Sequence, residues 1–401
     1  MDTVQRSWRN VDLVMVFVVL LLTSFSCVLI YAATTGKTNP LIPNHAWLKQ
    51  LLFSGVGFIA MWIAAFVDYR FLQRIHWWIY GVVLVMLMAV FKFRPVQGAH
   101  SWIPLPGLSL QPSEFMKLAI IITLASMMAT VDEQESASYR LRSTWKMWVV
   151  MVVPFLLTLK EPALGQALVM FAIFSTMYVV FLRRMWFVLG VSVFVMFCIA
   201  FIAVPIEFPT QAMNFVQKVI LSHHLLHGYQ ADRILTWLDP NYQLSGAGYE
   251  IHQVQTAIGS GELTGEGWLQ GVETSSGGVP NQWNDYIFSA AGEEFGFVGS
   301  SILVLLFLIL IYRLVRTASR AQDSFGVYIT MGVVAMFGFQ VFENIAMDMY
   351  MSPSTGITLP FISYGGSSLV ANFLCVGIVL SVALHQRLSP TYTAGSSYFS
   401  A

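Results

Sequence analysis

Charge is what this chain has least of. Asp, Glu, Lys and Arg make up 10 % of its 401 residues, and 21 basic side chains cancel 21 acidic ones. A net charge of zero argues against a nucleic-acid partner. Cysteine is almost as scarce. Cys27, Cys198 and Cys375 all fall inside apolar runs. Small buried thiols are ordinary core residues, so these three say nothing about redox compartment. Also missing is any polar stretch long enough to build a separate soluble domain. What remains is apolar: 56 % hydrophobic, with 30 Phe, 20 Met, 12 Trp and a mean hydropathy of +0.67. No soluble globular protein has that composition.

Apolar runs of spanning length recur from end to end. They predict about ten transmembrane helices: Leu13–Ala33, Trp47–Val67, Trp77–Phe91, Phe115–Thr130, Trp148–Leu159, Leu164–Leu182, Trp186–Ile206, Tyr286–Tyr312, Phe325–Met349 and Ser367–Leu384. The fifth and sixth are weak, parted only by a turn at Lys160-Glu161-Pro162. The first is too long, and its cleavage pattern too poor, for a removable signal peptide. The expected fold class is all-α and polytopic, one membrane domain over residues 1–401. One large loop, residues 207–285, lies between the seventh and eighth helices.

Basic residues set the orientation. Arg6, Arg9, Arg70, Arg74, Arg140, Arg142, Lys146, Arg183, Arg184, Arg313, Arg316, Arg320 and Arg387 share one side, thirteen of the 21. Both termini are therefore expected in the cytoplasm and the long loop outside.

Four stretches carry unusual chemistry. Residues 98–119, GAHSWIPLPGLSLQPSEFMKLA, form a Pro- and Gly-punctuated loop entering a helix at Pro112-Ser113-Glu114. Glu114 suits the positive end of the helix dipole. Lys117, three residues on, shares its face, and a buried ionisable group in a span is a functional candidate by default. The two form a structural pair or an anion site. Trp102 reads as an interfacial anchor. In the long loop, amphipathic stretches too short to span are expected to lie on the membrane surface. His223, His224 and His227 lack a carboxylate at ligand spacing and read as a solvated face. The Gly-rich run from Gly246 to Gly271 has no phosphate-loop spacing.

The third stretch, PNQWNDYIFSAAGEEFGFVG at 280–299, opens a span with Asp285. On a helix, Ser289, Gly292, Gly296 and Gly299 fall below Asp285 as a ridge of small residues, which lets another helix pack closely and turns the carboxylate toward a cavity. Glu293 and Glu294 lie deeper and cost roughly 2.5–3.5 kcal/mol each if they face lipid. They are expected to tie down broken backbone nearby. The fourth stretch, PSTGITLPFISYGGSS at 353–368, cannot be one regular helix. At membrane depth such backbone survives only inside protein or around a wet cavity. It ends in a capped helix start at Gly365-Gly366-Ser367-Ser368 aimed at that cavity. Ser363 and Ser367 are candidate substrate contacts.

These motifs, QPSEFMK, LDP followed by GAGY and AIGSGELTGEG, NDYIFSAAGEEFGFVG and TGITLPFISYGGSSLVANF, resemble the SEDS family, named for shape, elongation, division and sporulation. The resemblance runs through nearly the whole chain in order, and Asp68-Tyr69-Arg70 is closer to its RodA branch than to FtsW. It implies ten transmembrane helices with a large outer loop before the eighth. It implies polymerisation of lipid II into peptidoglycan beside a class B penicillin-binding protein, a single-span transpeptidase, in the bacterial plasma membrane. The family's essential loop carboxylate falls on Asp285, its loop Trp on Trp102, and its Gln-Pro-Ser-Glu-to-Lys stretch on Gln111, Pro112, Ser113, Glu114 and Lys117. The chain departs from the pattern in three places. Asn281-Gln282-Trp283-Asn284 replaces Glu-x-His-Thr, Ala163 replaces an Asp, and Ser101 replaces a basic residue.

For such a reaction Asp285 suits a general base, and Lys117 and Arg233 suit the diphosphate oxygens. No cofactor is certain, and a divalent cation is compatible with the reaction. Two other classes use the same features. A flippase or transporter for lipid-linked precursors needs a path to both faces, whereas the polar motifs here cluster on one. A low-activity scaffold needs no Asp at 285.

Overall fold

The computed structural model describes residues 11–35, 45–93, 101–105, 108–133, 137–182, 213, 228–239, 242 and 246–385. The expected seventh span, the three loop histidines, Cys198, Arg6, Arg9, Arg183, Arg184 and Arg387 lie outside the described residues.

Twelve helices and one hairpin make up the described fold: α1 Leu13–Thr34, α2 Ala46–Phe66, α3 Tyr69–Ala89, β1 Ile103–Leu105, β2 Leu108–Leu110, α4 Pro112–Glu133, α5 Ala137–Lys160, α6 Leu164–Leu182, α7 Gly228–Leu238, α8 Ala247–Ser260, α9 Val272–Ser276, α10 Ile287–Arg320, α11 Ser324–Asp348 and α12 Gly366–Leu384. Eight of these, α1 to α4, α6 and α10 to α12, are long and apolar enough to cross a membrane, α3 with the single 3₁₀ turn that follows it. The chain is a multi-pass membrane protein.

Asp side chains start three of the long helices. Asp12 accepts from Met15 N at 3.1 Å, Asp68 from Arg70 N at 2.9 Å and Asp323 from Gly326 N at 2.7 Å. Each satisfies an amide that the helix leaves free and sets a negative charge at the positive end of the dipole. α4, α11 and α12 form the centre of the bundle, with most of their residues buried. α2 and α3 lie outside them, with Leu52 and Trp78 exposed as on a lipid-facing surface.

The structure corrects several boundaries. α3 begins at Tyr69, eight residues before the expected Trp77. Arg70, Arg74 and His76 dilute the apolar signal there without breaking the helix. α5 extends from Ala137 although only Trp148–Leu159 reads as apolar, and it carries Pro154 inside it. The loop between α3 and α4 holds a two-stranded antiparallel ribbon pairing Ile103 with Leu110.

The larger correction concerns α10. Asp285 stands before the helix, not in it, and the expected ridge is interrupted at Gly296, whose φ of 64° and ψ of −163° are not helical. A Cβ on Gly296 would overlap the amide nitrogen of Gly265. Residues 261–267 fill the break. Glu266 N and Gly267 N donate to the carbonyls of Glu293 and Glu294, while Phe297 N and Val298 N donate to those of Glu262 and Leu263. Small residues still permit the close approach, but to a loop rather than to a straight helix.

Candidate functional site

Two polar clusters meet across the irregular segment 353–365. The first gathers residues distant in sequence around Asp285. Its backbone is fixed by Asn344 of α11, whose Nδ2 donates at 2.7 Å to the carbonyls of both Asp285 and Ile357. Arg233 of α7 donates from Nη1 to Ser354 O at 3.0 Å. Gly356 sits between the charges. A Cβ there would lie 3.1 Å from Arg233 Nη1 and 3.3 Å from Asp285 Oδ2, and its φ of +68° also favours glycine. Tyr286 shares a 2.6 Å hydrogen bond with Ser354 Oγ and donates to Glu250 Oε2 at 3.4 Å. Asp348 accepts from Ser289 N at 3.0 Å at the start of α10.

Burial pushes the Asp285 carboxyl above its ordinary value, and the Arg233 guanidinium partly offsets this. Glu250 is also raised, first by burial and further by Asp285, against the opposing pull of Arg233. One cation thus serves two carboxylates. Such a site favours a proton acceptor stronger than a solvated Asp.

The second cluster is built on α4. Lys117 Nζ lies 2.7 Å from Glu114 Oε2, with neither side chain exposed. Gln166 of α6 donates to the other oxygen of Glu114 at 2.8 Å. Ala163 supplies no second anion. An ammonium has three protons, and Lys117 Nζ, though close to Glu114, makes no hydrogen bond among the described residues. Ser113 Oγ and Gln166 Oε1 are buried without hydrogen-bond partners. Spare donors and acceptors inside a helical bundle are what a polar ligand head or water would satisfy.

The clusters touch through α6. At Gly165, beside Gln166, a Cβ would come 2.7 Å from the carbonyl of Thr355. The backbone that separates Arg233 from Asp285 therefore rests on α6, whose Gln166 donates to Glu114.

Other candidates are placed differently. Ser363 is buried, its Oγ accepting from Leu359 N at 2.7 Å. Ser367 Oγ accepts from Gln111 N and donates to Ser109 O, both at 3.1 Å, joining α12 to the hairpin and α4. Trp102 is half-buried at the entry to β1. Glu293 accepts from Glu273 N at 2.7 Å, Thr274 N at 2.9 Å and Thr274 Oγ1 at 2.5 Å, at the start of α9. Glu294 Oε2 accepts from Leu269 N at 3.0 Å. Gln282 Nε2, at the unspecified position between the departures at Asn281 and Trp283, donates to Thr274 Oγ1 at 2.9 Å.

Sequence reasoning missed Glu250, Tyr286, Asn344, Ser354, Gly356 and Gln166. For Gln166 and Asn344 a signal existed: each is an amide within an apolar span, where polar side chains need partners. Among the described residues, no group of three or more His, Cys, Asp or Glu is arranged to hold a metal ion.

The fold and the site define a class: a polytopic helical membrane protein whose charged residues are gathered beside broken helices. Residues 12–388 match the profile of the FtsW, RodA and SpoVE family, described as a cell cycle protein. The chain belongs to that family, called SEDS above. It is 31 % identical over 387 residues to a probable peptidoglycan glycosyltransferase FtsW of Trichlorobacter lovleyi, covering 94 % of both chains. It is 31 % identical over 381 residues to the peptidoglycan glycosyltransferase MrdB of Escherichia coli, covering 94 % of this chain and 95 % of the other. Equal identities separate no branch. A solved structure titled as the structural coordination of polymerization and crosslinking by a peptidoglycan synthase complex superposes with a TM-score of 0.72 at 28 % identity, over 94 % of this chain and 98 % of that one.

Proposed function

We propose that the protein polymerises lipid II into peptidoglycan glycan strands at the outer membrane face, with Asp285 as general base. The observation that carries this reading is a partly dehydrated carboxylate beside a guanidinium, joined through one backbone segment to a buried ammonium. The acceptor sugar's hydroxyl oxygen attacks the anomeric carbon of the donor. The bond from that carbon to the diphosphate oxygen breaks, its electron pair leaves with the diphosphate, and the hydroxyl proton goes to Asp285. A diphosphate is a competent leaving group that needs charge stabilisation rather than an acid. Arg233 and Lys117 supply that charge. One base and in-line displacement invert the anomeric centre. No step is assigned to a metal ion.

Gln111, Glu114, Trp102, Ser363 and Ser367 shape the substrate cavity in this reading, and Glu293 and Glu294 hold the fold that frames it. The bundle has ten spans, the described helices joined by the expected seventh, and residues 207–285 face outward with both termini in the cytoplasm. A class B penicillin-binding protein accompanies it and cross-links the product. That Asp285, Arg233 and Lys117 are linked through one segment favours a reaction over a scaffold.

The test is polymerisation of labelled lipid II by the purified protein. Asp285→Asn should lower the rate by about 10²–10⁴, the usual contribution of a positioned base, with folding and lipid II binding retained. Near-normal glycan synthesis by the folded variant overturns the assignment. Transfer of labelled lipid II across vesicles without polymer favours a flippase. For the orientation, an exposed Ser275→Cys should react with an impermeant maleimide in intact cells. Reaction only after lysis reverses it.

A further inference from the structure

The loop that fills the break in α10 has an apolar exterior. Leu263 is 67 % exposed, Trp268 49 %, Leu269 42 % and Val272 64 %. These four continue a stripe on α10 that includes Phe297, Val298, Ile302, Leu305 and Leu308, each at least half exposed. The contact is direct, because Val298 N donates to the carbonyl of Leu263 at 3.1 Å.

Height above the opposite membrane boundary follows from a landmark. Asp12, at the start of α1, pairs with Arg313 of α10 at 2.6 Å. At 1.5 Å per helical residue, Tyr31 of α1 stands about 28 Å from Asp12, and Phe297 about 24 Å from Arg313. The hydrocarbon layer is about 30 Å thick. The Trp268 ring lies 6.0 Å from that of Tyr31, which lies 5.8 Å from that of Trp47 at the start of α2. Three aromatic rings at one height match the belt that Trp and Tyr form at a membrane interface.

The loop's backbone is equipped for that depth. Gly265 N, Glu266 N, Gly267 N and Gln270 N donate to backbone carbonyls, Leu269 N to Glu294 and Val272 N to Glu266. Irregular backbone within a membrane survives only when its polar groups are satisfied by protein or water. Glu262, Thr264 and Gln270 are exposed in the same stretch, which sets it at the boundary of the hydrocarbon rather than near the midplane.

We infer that residues 261–272 are seated in the outer leaflet, with Leu263, Trp268, Leu269 and Val272 against lipid acyl chains. The partner of this surface is the bilayer. It is therefore a membrane-embedded part of the outer loop, separate from the long spans.

The test uses the full chain in nanodiscs, as wild type and Trp268→Phe. The difference in their fluorescence reports Trp268. Lipids brominated near the glycerol end of their chains should quench most of that difference, and aqueous acrylamide should quench little. A second variant, Leu269→Trp added to Trp268→Phe, should show the same pattern. Strong acrylamide quenching without lipid quenching overturns the inference, as it places the loop in water. Protection from both quenchers overturns it as well, as it places the loop against protein.

Discussion

Lys117 and Glu114 form a fully buried ion pair, 2.7 Å from Nζ to Oε2, on one face of the fourth helix. Removing one member strands the other, so the single variant and the double variant behave differently. Lys117→Met should lose about 3–5 kcal/mol of stability, as buried pairs do when broken. Adding Glu114→Gln removes the stranded charge and should restore folding. If Lys117 holds the diphosphate, the double variant folds and still binds lipid II poorly. Wild-type affinity in a folded double variant makes the pair purely structural. Thermal melting and lipid II binding together decide.

The charge around Asp285 predicts a pH dependence. A base works only when ionised, and burial raises this carboxyl above its ordinary 3.8 while Arg233 opposes the rise. The acid limb of the polymerisation profile should therefore lie above that ordinary value. Arg233→Met removes the opposing charge and should move that limb to higher pH. Arg233→Lys should hold it nearer the wild-type position. A limb that does not move in the Met variant detaches Arg233 from Asp285.

Glu161, in the turn between the fifth and sixth helices, is fully buried and neither carboxylate oxygen has a hydrogen-bond partner. Burial pushes its carboxyl up from 4.5 to about 8. Between those values the folded chain binds more protons than the unfolded chain, so stability falls as pH rises through that window. The full cost above pH 8 is about 4–5 kcal/mol. Glu161→Gln should raise the melting temperature at pH 9 and change it little at pH 5. An equal effect at both values rejects the charge as the cause.

Gly296 has a backbone conformation that glycine alone adopts readily, at about 1–3 kcal/mol for other residues, and its missing side chain makes room for Gly265. Gly296→Ala should lower the melting temperature and the folded yield by more than that strain alone. Gly55→Ala, with no atom within 4 Å of the new Cβ, is the matched control. Equal stability of the two variants removes the requirement for a closely inserted loop.

Much of this was legible in the sequence, for one reason: charge is costly in an apolar chain. Asp285, Glu114, Lys117, Glu293 and Glu294 stand out because each must be compensated. Long apolar runs marked the spans. Hidden were the features that depend on distant backbone. The segment carrying Arg233 meets Asp285 beside Ser354 and Gly356, and no periodicity brings those stretches together. Gly296 reads as one more small residue on a helix face, because a sequence does not show the sign of φ. The basic residues at the start of α5 lowered its hydropathy and so concealed half of a 24-residue helix.

The insertion at Gly296 also has a mechanical meaning. Two carbonyls above the break accept from the loop and two amides below it donate to the loop, in opposite senses along the chain. The loop thus sits in the helix as a key sits in its slot. The nine residues from Ile287 to Phe295 cannot slide along the axis of the longer rod beneath without shearing those bonds. The height of Asp285 is then referenced to the protein's own frame.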